Sequence, residues 1–336
     1  MGKYTEEKQF VLSYYEALDG TPVQKIEEVL KEYLSDDYSY RGSYPNRQIN
    51  GISSTVEKFW LPLKTAFTSM ERRVDIFIAG KNEFNESTWV MGMGHFVGLF
   101  DKDILGIRHT GKMAHLRFAE FSRYENGKIA ETGLFVDWIG LMQEAGAYPL
   151  PPSTGQYFVY PGPRKHNGIL LEDADPSEAG KTRDVQTKMG DILESLNKPG
   201  IMRPPTHEEM AETWAENMIW YGPSGIGATY TIDRYIKQHT GPFRNCLTDK
   251  KFVGHVVRIA EGNFSCFFGW PNLTNRPIGG FLGLTSGDVL AEMVVVDVYS
   301  REGDYLAENW VIIDIPYWLA QQGLDVFDRT AGILNS

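Results

Sequence analysis

Four residues recur at one long spacing: Ala130 and Ala307, Glu131 and Glu308, Asp137 and Asp314, and Gly146 and Gly323 each stand 177 positions apart, and at that spacing Glu120 meets Asp297. They belong to two stretches of similar grammar, GKIAETGLFVDWIGLMQEAG and GDYLAENWVIIDIPYWLAQQG, each an apolar run closing on Asp and followed by a helical pattern that stops at Gly. A repeat of this length means that one folding unit is written twice, and each copy must find its own core. With 336 residues, 42% hydrophobic and 13% aromatic, the chain has the length and the apolar material for two such cores.

The order of elements repeats as well. In the first copy EKQFVLSYYEALDG and TPVQKIEEVLKEYL place apolar residues at helical spacing. A short strand in YSYRG and a helix around SSTVEKFWLPLKTAF follow. Four β-rich runs come next: RRVDIFIAG, STWVMGMGHFVGLF, MAHLRFAEFSRY and KIAETGLFVDW, the last two joined by the hairpin signal ENG. The second copy runs through THEEMAETWAENM, MIWYG, TYTIDRYIKQHTG, KFVGHVVRIAEG, NFSCFFGW, VLAEMVVVDVYS and YLAENWVIIDI, with REGD in the place of ENG. Helices first and hairpin-linked strands afterwards predict an α+β fold with helices on one face of an antiparallel sheet. The expected division is 1–148, a Pro- and Gly-rich linker over 149–204 in which KTRDVQTKMGDILESL forms a helix, and 205–336.

A net charge of −11 without a Lys/Arg run argues against nucleic acid as a partner. The N-terminal stretch lacks the order of a signal peptide, and no apolar run is long enough to span a bilayer, so the expectation is a cytoplasmic protein without membrane association. Two cysteines, Cys246 and Cys266, are too few for a disulfide framework or a Cys-based metal site. His109, His115 and His255 show no metal-ligand spacing, no serine sits in a nucleophile elbow and no glycine pattern cradles phosphate, so neither metal nor cofactor is expected.

The stretch ILGIRHTGKMAHLRFAEFSRYENGKIAETGLFVDWIGLMQEAG resembles the SnoaL-like polyketide cyclase family. The residues that carry the resemblance are Leu105, Gly106, Ile107, Thr110, Gly111, Arg117, Glu120, Gly127, Lys128, Ile129, Glu131, Asp137, Leu141 and Gly146. The second copy matches more loosely through SGIGATYTIDRYI, RIAEGN and AENWVIID. The resemblance implies two tandem cone-shaped domains of the kind shared with nuclear transport factor 2 and ketosteroid isomerase, each enclosing an apolar pocket. It also implies cofactor-independent acid/base chemistry (cyclisation, isomerisation or dehydration) on a small hydrophobic carbonyl compound. The alternatives are a non-catalytic small-molecule binder and, from the same fold, an epoxide or lactone hydrolase. The copies are expected to pack as an internal pseudo-dimer, with homodimerisation open.

By motif position the resemblance assigns the catalytic acid to Asp137 and, in the second copy, Asp314, with His95 near the family's pocket histidine. Asp is also a favoured helix N-cap, and both acids precede helical patterns, so capping is the competing reading of each. Strand alternation puts Glu131, Gly133, Phe135 and Asp137 on one face and Thr132, Leu134 and Val136 on the other. Arg117 is expected to pair with Glu120 or Glu131. Tyr40, Trp60, Phe96, Arg117, Phe135, Trp220 and Trp310 are the expected pocket residues. Gly133 stands where the second copy has Trp310, so the first pocket is expected to be the roomier and the active one.

Overall fold

The computed structural model describes residues 3–172, 174–198 and 200–334. The chain divides into two compact units, one of Met1–Pro149, Pro161–Asp173 and Asp325–Ser336, the other of Leu150–Tyr160 and Ala174–Leu324. Each is α+β, with helices laid on one face of a sheet.

In unit 1, α1 (Thr5–Gly20) buries Val11, Tyr14, Tyr15 and Leu18, the i, i+3, i+4, i+7 stripe of an amphipathic helix. After α2 (Ile26–Tyr33) come β1 (Leu34–Gly42) and β2 (Gln48–Asn50). One continuous helix with a π-helical turn follows, built of α3 (Ile52–Thr55), the turn over Val56–Trp60, and α4 (Leu61–Ala66). The long strands β3 (Phe67–Lys81), β4 (Thr88–Phe100), β5 (Lys112–Glu125) and β6 (Lys128–Val136) lead to α5 (Trp138–Glu144). Among the described residues they form a six-stranded sheet in the order β2-β1-β6-β5-β4-β3, antiparallel except for β1 beside β6. The expected ENG turn is present, with Asn126 and Gly127 both at positive φ, the conformation that a tight hairpin demands.

Unit 2 repeats this order. The helices α6 (Pro176–Ser195) and α7 (His207–Ala211) precede β7 (Trp214–Tyr221), β8 (Thr229–Tyr230), α8 (Ile232–Tyr235), a second π-helical turn over Ile236–Thr240, and α9 (Gly241–Asn245). The strands β9 (Leu247–Phe252), β10 (Val257–Glu261), β11 (Phe264–Phe268) and β12 (Leu273–Pro277) stand where β3 and β4 run unbroken in unit 1. Pro271, which has no N–H to give a ladder, lies in the break between β11 and β12. Then come β13 (Ala291–Met293), β14 (Val295–Glu302), β15 (Tyr305–Ile313) and α10 (Ile315–Gln321). The main sheet has the order β10-β11-β14-β15-β7-β8, and β13-β12-β9 form a smaller one.

The ladders agree residue by residue. Glu120 stands opposite Leu134 and Ser122 opposite Thr132, as Asp297 stands opposite Val311 and Tyr299 opposite Asn309. In the parallel pairs, Tyr40 meets Thr132 and Trp220 meets Asn309.

Over 149–204 the chain is not a free tether. Phe77, on the edge strand β3, donates its N–H to the Gly168 carbonyl and accepts from the N–H of Leu170, so 161–172 covers part of that edge. Gln156 pairs in the same manner with Ala228 of unit 2. The segment 176–195 is the first helix of unit 2, tied to its sheet by the buried Arg301, which pairs with Glu178 and donates to Thr182. The last helix, α11 (Val326–Leu334), belongs to unit 1.

Candidate functional site

Alternation along β5 decides what faces what in unit 1. Arg72 of β3 stands opposite Phe96 of β4, which stands opposite Leu116, and two steps further along β5 comes Glu120 by way of Phe118. These residues share the face covered by helices, because the Arg72 guanidinium lies over Tyr14 and Tyr15 of α1 at 5.7 and 4.4 Å and over Trp60 at 5.1 Å. It also lies 5.1 Å over Phe96. Arg72 pairs with Glu120 (3.2 Å) and with Asp19 at the end of α1, whose other oxygen accepts the Arg72 backbone N–H at 2.8 Å.

Glu120 is fully buried and Tyr15 nearly so. Burial holds the Glu120 carboxyl above the ordinary glutamate range, against the opposing pull of Arg72. Burial likewise pushes the Tyr14 and Tyr15 hydroxyls well up, with the charge of Glu120 adding to it. Three polar atoms of this cluster, Glu120 Oε1, Arg72 Nε and Tyr15 Oη, are buried without a hydrogen-bond partner. Buried polar atoms are normally paired, so an unpaired trio in one place calls for an explanation.

A cavity of about 300 Å³ in unit 1 is lined by Phe59, Leu61, Pro62, Ile104, Leu105 and Trp138 with Asn46, Lys58, Thr65 and Asp103, and none of the cluster residues lines it. Phe59 packs on Tyr40 (5.4 Å) and Trp60 (5.0 Å), and Trp60 on Phe96 (6.0 Å), so a file of rings links the cavity wall to Arg72. From behind, Trp138 is backed by Phe327 of α11 (6.4 Å), and Tyr44 donates to Asp325 at 2.9 Å.

The residues expected from sequence separate onto two faces. Tyr40, Trp60 and Phe96 lie on the helix-covered side of unit 1, and Trp220 on the corresponding side of unit 2, where His239 stacks on it at 3.9 Å. His95, Arg117, Phe135 and Trp310 lie on the opposite faces: His95 stands opposite Arg117, Ala119 opposite Phe135, and Trp310 opposite Val298 and against Tyr221. Gly133 and Trp310 therefore do not set the size of the helix-covered interiors, contrary to expectation, because alternation turns them away from the helices. His95 has Asp75 at 3.5 Å.

Arg117 pairs with Asp137 (3.0 Å), not with Glu120 or Glu131. Glu120 is held by Arg72 on the other face, and Glu131 by Arg41 and Arg123. Asp137 also caps α5, accepting from the Gly140 N–H at 3.1 Å, and Asp314 caps α10, accepting from Tyr317 N–H at 3.2 Å. Replacing Asp137 by Ala removes that cap and the carboxylate paired with the buried Arg117. Urea unfolding should show a loss of about 3–5 kcal/mol, and Asp137→Asn, which keeps a capping oxygen but not the charge facing Arg117, should lose less.

Sequence reasoning passed over Arg72, Asp19 and the two tyrosines. A signal for Glu120 was nevertheless present, since it is the recurring acid that falls mid-strand among apolar neighbours and not at a strand end. Among the described residues, no group of three or more His, Cys, Asp or Glu side chains is placed to hold a metal ion. No helix among them is long and apolar enough to cross a membrane.

Helices on the face of a curved mixed sheet define the cone-shaped α+β class. Residues 11–145 match the model of the SnoaL-like polyketide cyclase family. Solved structures similar to the chain include a protein assigned to the SnoaL-like polyketide cyclases from Jannaschia sp. CCS1. It is 19% identical over 44% of this chain and 94% of that one, with a TM-score of 0.34. AclR from Streptomyces galilaeus, assigned as a hydroxylase, is 18% identical over 44% and 85%, with a TM-score of 0.36. IdmH from Streptomyces antibioticus, assigned as a polyketide cyclase, is 15% identical over 42% and 99%, with a TM-score of 0.33. No curated protein matches the chain.

Proposed function

We propose that unit 1 carries out cofactor-independent acid/base chemistry on a small hydrophobic carbonyl compound, with Glu120 moving the proton. The observation that carries this reading is the buried trio without partners: a carboxylate oxygen, a guanidinium N–H and a phenol hydroxyl, gathered under aromatic rings. A carboxyl whose proton affinity is raised by burial can take a proton from carbon beside a carbonyl and return it near neutral pH. As the C–H bond breaks, its electron pair moves onto the carbonyl oxygen. Arg72 Nε and Tyr15 Oη are the donors for that oxyanion, in surroundings where such hydrogen bonds count for most. The enolate then either regains the proton at another carbon or attacks a second carbonyl of the same molecule, and Glu120 supplies the proton to the product. The cavity does not itself reach Glu120, Arg72 or Tyr15, so in this reading Phe59 and Trp60 move aside to admit the compound to the acid.

The capping roles of Asp137 and Asp314 favour a second reading, binding of the same class of compound without turnover.

Deuterium exchange into 2-tetralone, a flat bicyclic ketone with acidic C–H bonds, separates the two when followed by NMR in D₂O. Wild-type protein should catalyse exchange. Glu120→Gln should lower it at least 100-fold, the lower end of what a positioned acid/base contributes, and Asp137→Asn should change it less than threefold. Saturable binding with no exchange above background favours the binder. Exchange that survives Glu120→Gln and disappears in Asp137→Asn returns the role to Asp137.

A further inference from the structure

The two units put a carboxyl at one ladder position and surround it differently. In unit 1 the cation beside Glu120 is the protein's own, Arg72 on its bed of rings. The residue at the Arg72 position of unit 2 is Phe252, opposite Leu273 as Arg72 is opposite Phe96, and it is 57% exposed. Asp297, the counterpart of Glu120, is 9% exposed. Its Oδ1 accepts from two neutral donors, Tyr299 Oη and Asn309 Nδ2, both at 3.1 Å, and no Lys or Arg among the described residues is ion-paired with it. Arg258 and Arg244 act on the neighbouring Tyr299 and Tyr235 hydroxyls. Their guanidinium groups are bonded elsewhere, Arg258 to Gln186 and Thr187, Arg244 to Asn197 and the Leu193 carbonyl.

Rings pack against the acid's neighbours: Phe267 is its ladder partner, and Tyr299, which donates to it, lies 6.0 Å from Trp214 and 6.2 Å from Phe267, with Trp214 6.0 Å from Tyr235. The Trp214 indole N–H is buried without a partner. A buried carboxylate among aromatic faces, lacking the guanidinium that balances its twin, has the chemistry that recognises a cation.

We propose that unit 2 is a binding site for a small organic cation, an ammonium or guanidinium group on an apolar body, with Asp297 as the counter-charge and Trp214, Tyr235 and Tyr299 as the surrounding faces. The site is independent of the proton-transfer reading of unit 1. Burial raises Asp297 to about 6, so the counter-charge is present above that pH and binding weakens as pH falls through it. The other titratable groups facing it are Tyr235 and Tyr299, both pushed up and neutral across this range.

The test uses the full chain and benzylamine, with benzyl alcohol as the neutral match, and follows the Trp214 indole N–H by NMR. Benzylamine should shift that signal saturably, benzyl alcohol should bind at least tenfold more weakly, and Asp297→Asn should weaken benzylamine at least tenfold. An unchanged amide spectrum outside the site in Asp297→Asn shows the fold intact, so that the loss reports on the site. Equal binding of amine and alcohol, unchanged binding in Asp297→Asn, or no saturable shift at millimolar benzylamine overturns the proposal.

Discussion

Arg72→Met should unfold unit 1 about 3–5 kcal/mol more easily than wild type, the cost of removing one partner from a buried ion pair. Met keeps the stem and loses the charge. The loss then reports on Glu120, fully buried, and on Asp19, whose side chain is only 17% exposed, both left without their cation. Four rings also lose the guanidinium that lies across them. Adding Glu120→Gln should recover roughly half of the loss, because the second change removes one of the two stranded charges and the terms are coupled through a shared contact. Urea unfolding of the single and double variants measures it. A single variant that loses no more than about 1 kcal/mol, the cost of an ordinary substitution, would show that the cluster is not a buried charge network.

Asp297→Asn should do the reverse and stabilise unit 2 by about 3 kcal/mol at pH 7. Asp297 is raised from 3.8 to about 6, chiefly by burial, with Asn309 and Tyr299 pulling the other way. The folded state therefore binds more protons than the unfolded state between these values, and stability falls as pH rises through that window. At about two units and 1.36 kcal/mol per unit, the penalty is fully present above pH 6 and absent below pH 4. Asn carries no such penalty and still offers an oxygen to Tyr299. Unfolding free energies of the two proteins should converge near pH 4 and separate by pH 7. A gap that does not change with pH would mean that Asp297 keeps an ordinary carboxyl. Stability gained at the expense of a charge is the pattern expected where a residue is retained for binding.

Much of the fold was legible. The spacing of 177 residues that relates Glu131 to Glu308 is the spacing of the ladders, down to the pairing of Tyr299 with Asn309 where unit 1 pairs Ser122 with Thr132. The helices α5 and α10 start where Asp137 and Asp314 predict a cap. The site was less legible, for two physical reasons. Alternation sorts residues into faces without saying which face the helices cover, so Phe135 and Gly133 were placed with the pocket when Thr132 and Leu134 lie on that side. And the partner of Glu120 is Arg72, 48 residues earlier in RRVDIFIAG, where nothing local distinguishes it from Arg73. Only the arrangement of β3 against β4 and α1 separates them. The Pro- and Gly-rich stretch misled in a similar way: composition reports an extended chain and not what it lies against, and 161–172 lies along Phe77.

Titration of the Glu120 side-chain carboxyl, by carbon-detected NMR on the full chain with Glu120→Gln to assign the signal, bears most directly on whether this acid serves the interior of unit 1. A midpoint clearly above the ordinary glutamate value of 4.5 is the expected result, since burial outweighs the attraction of Arg72. A midpoint at or below 4.5 would make Glu120 a permanently charged partner of Arg72, a structural ion pair with no proton to give, and would contradict the proposed chemistry.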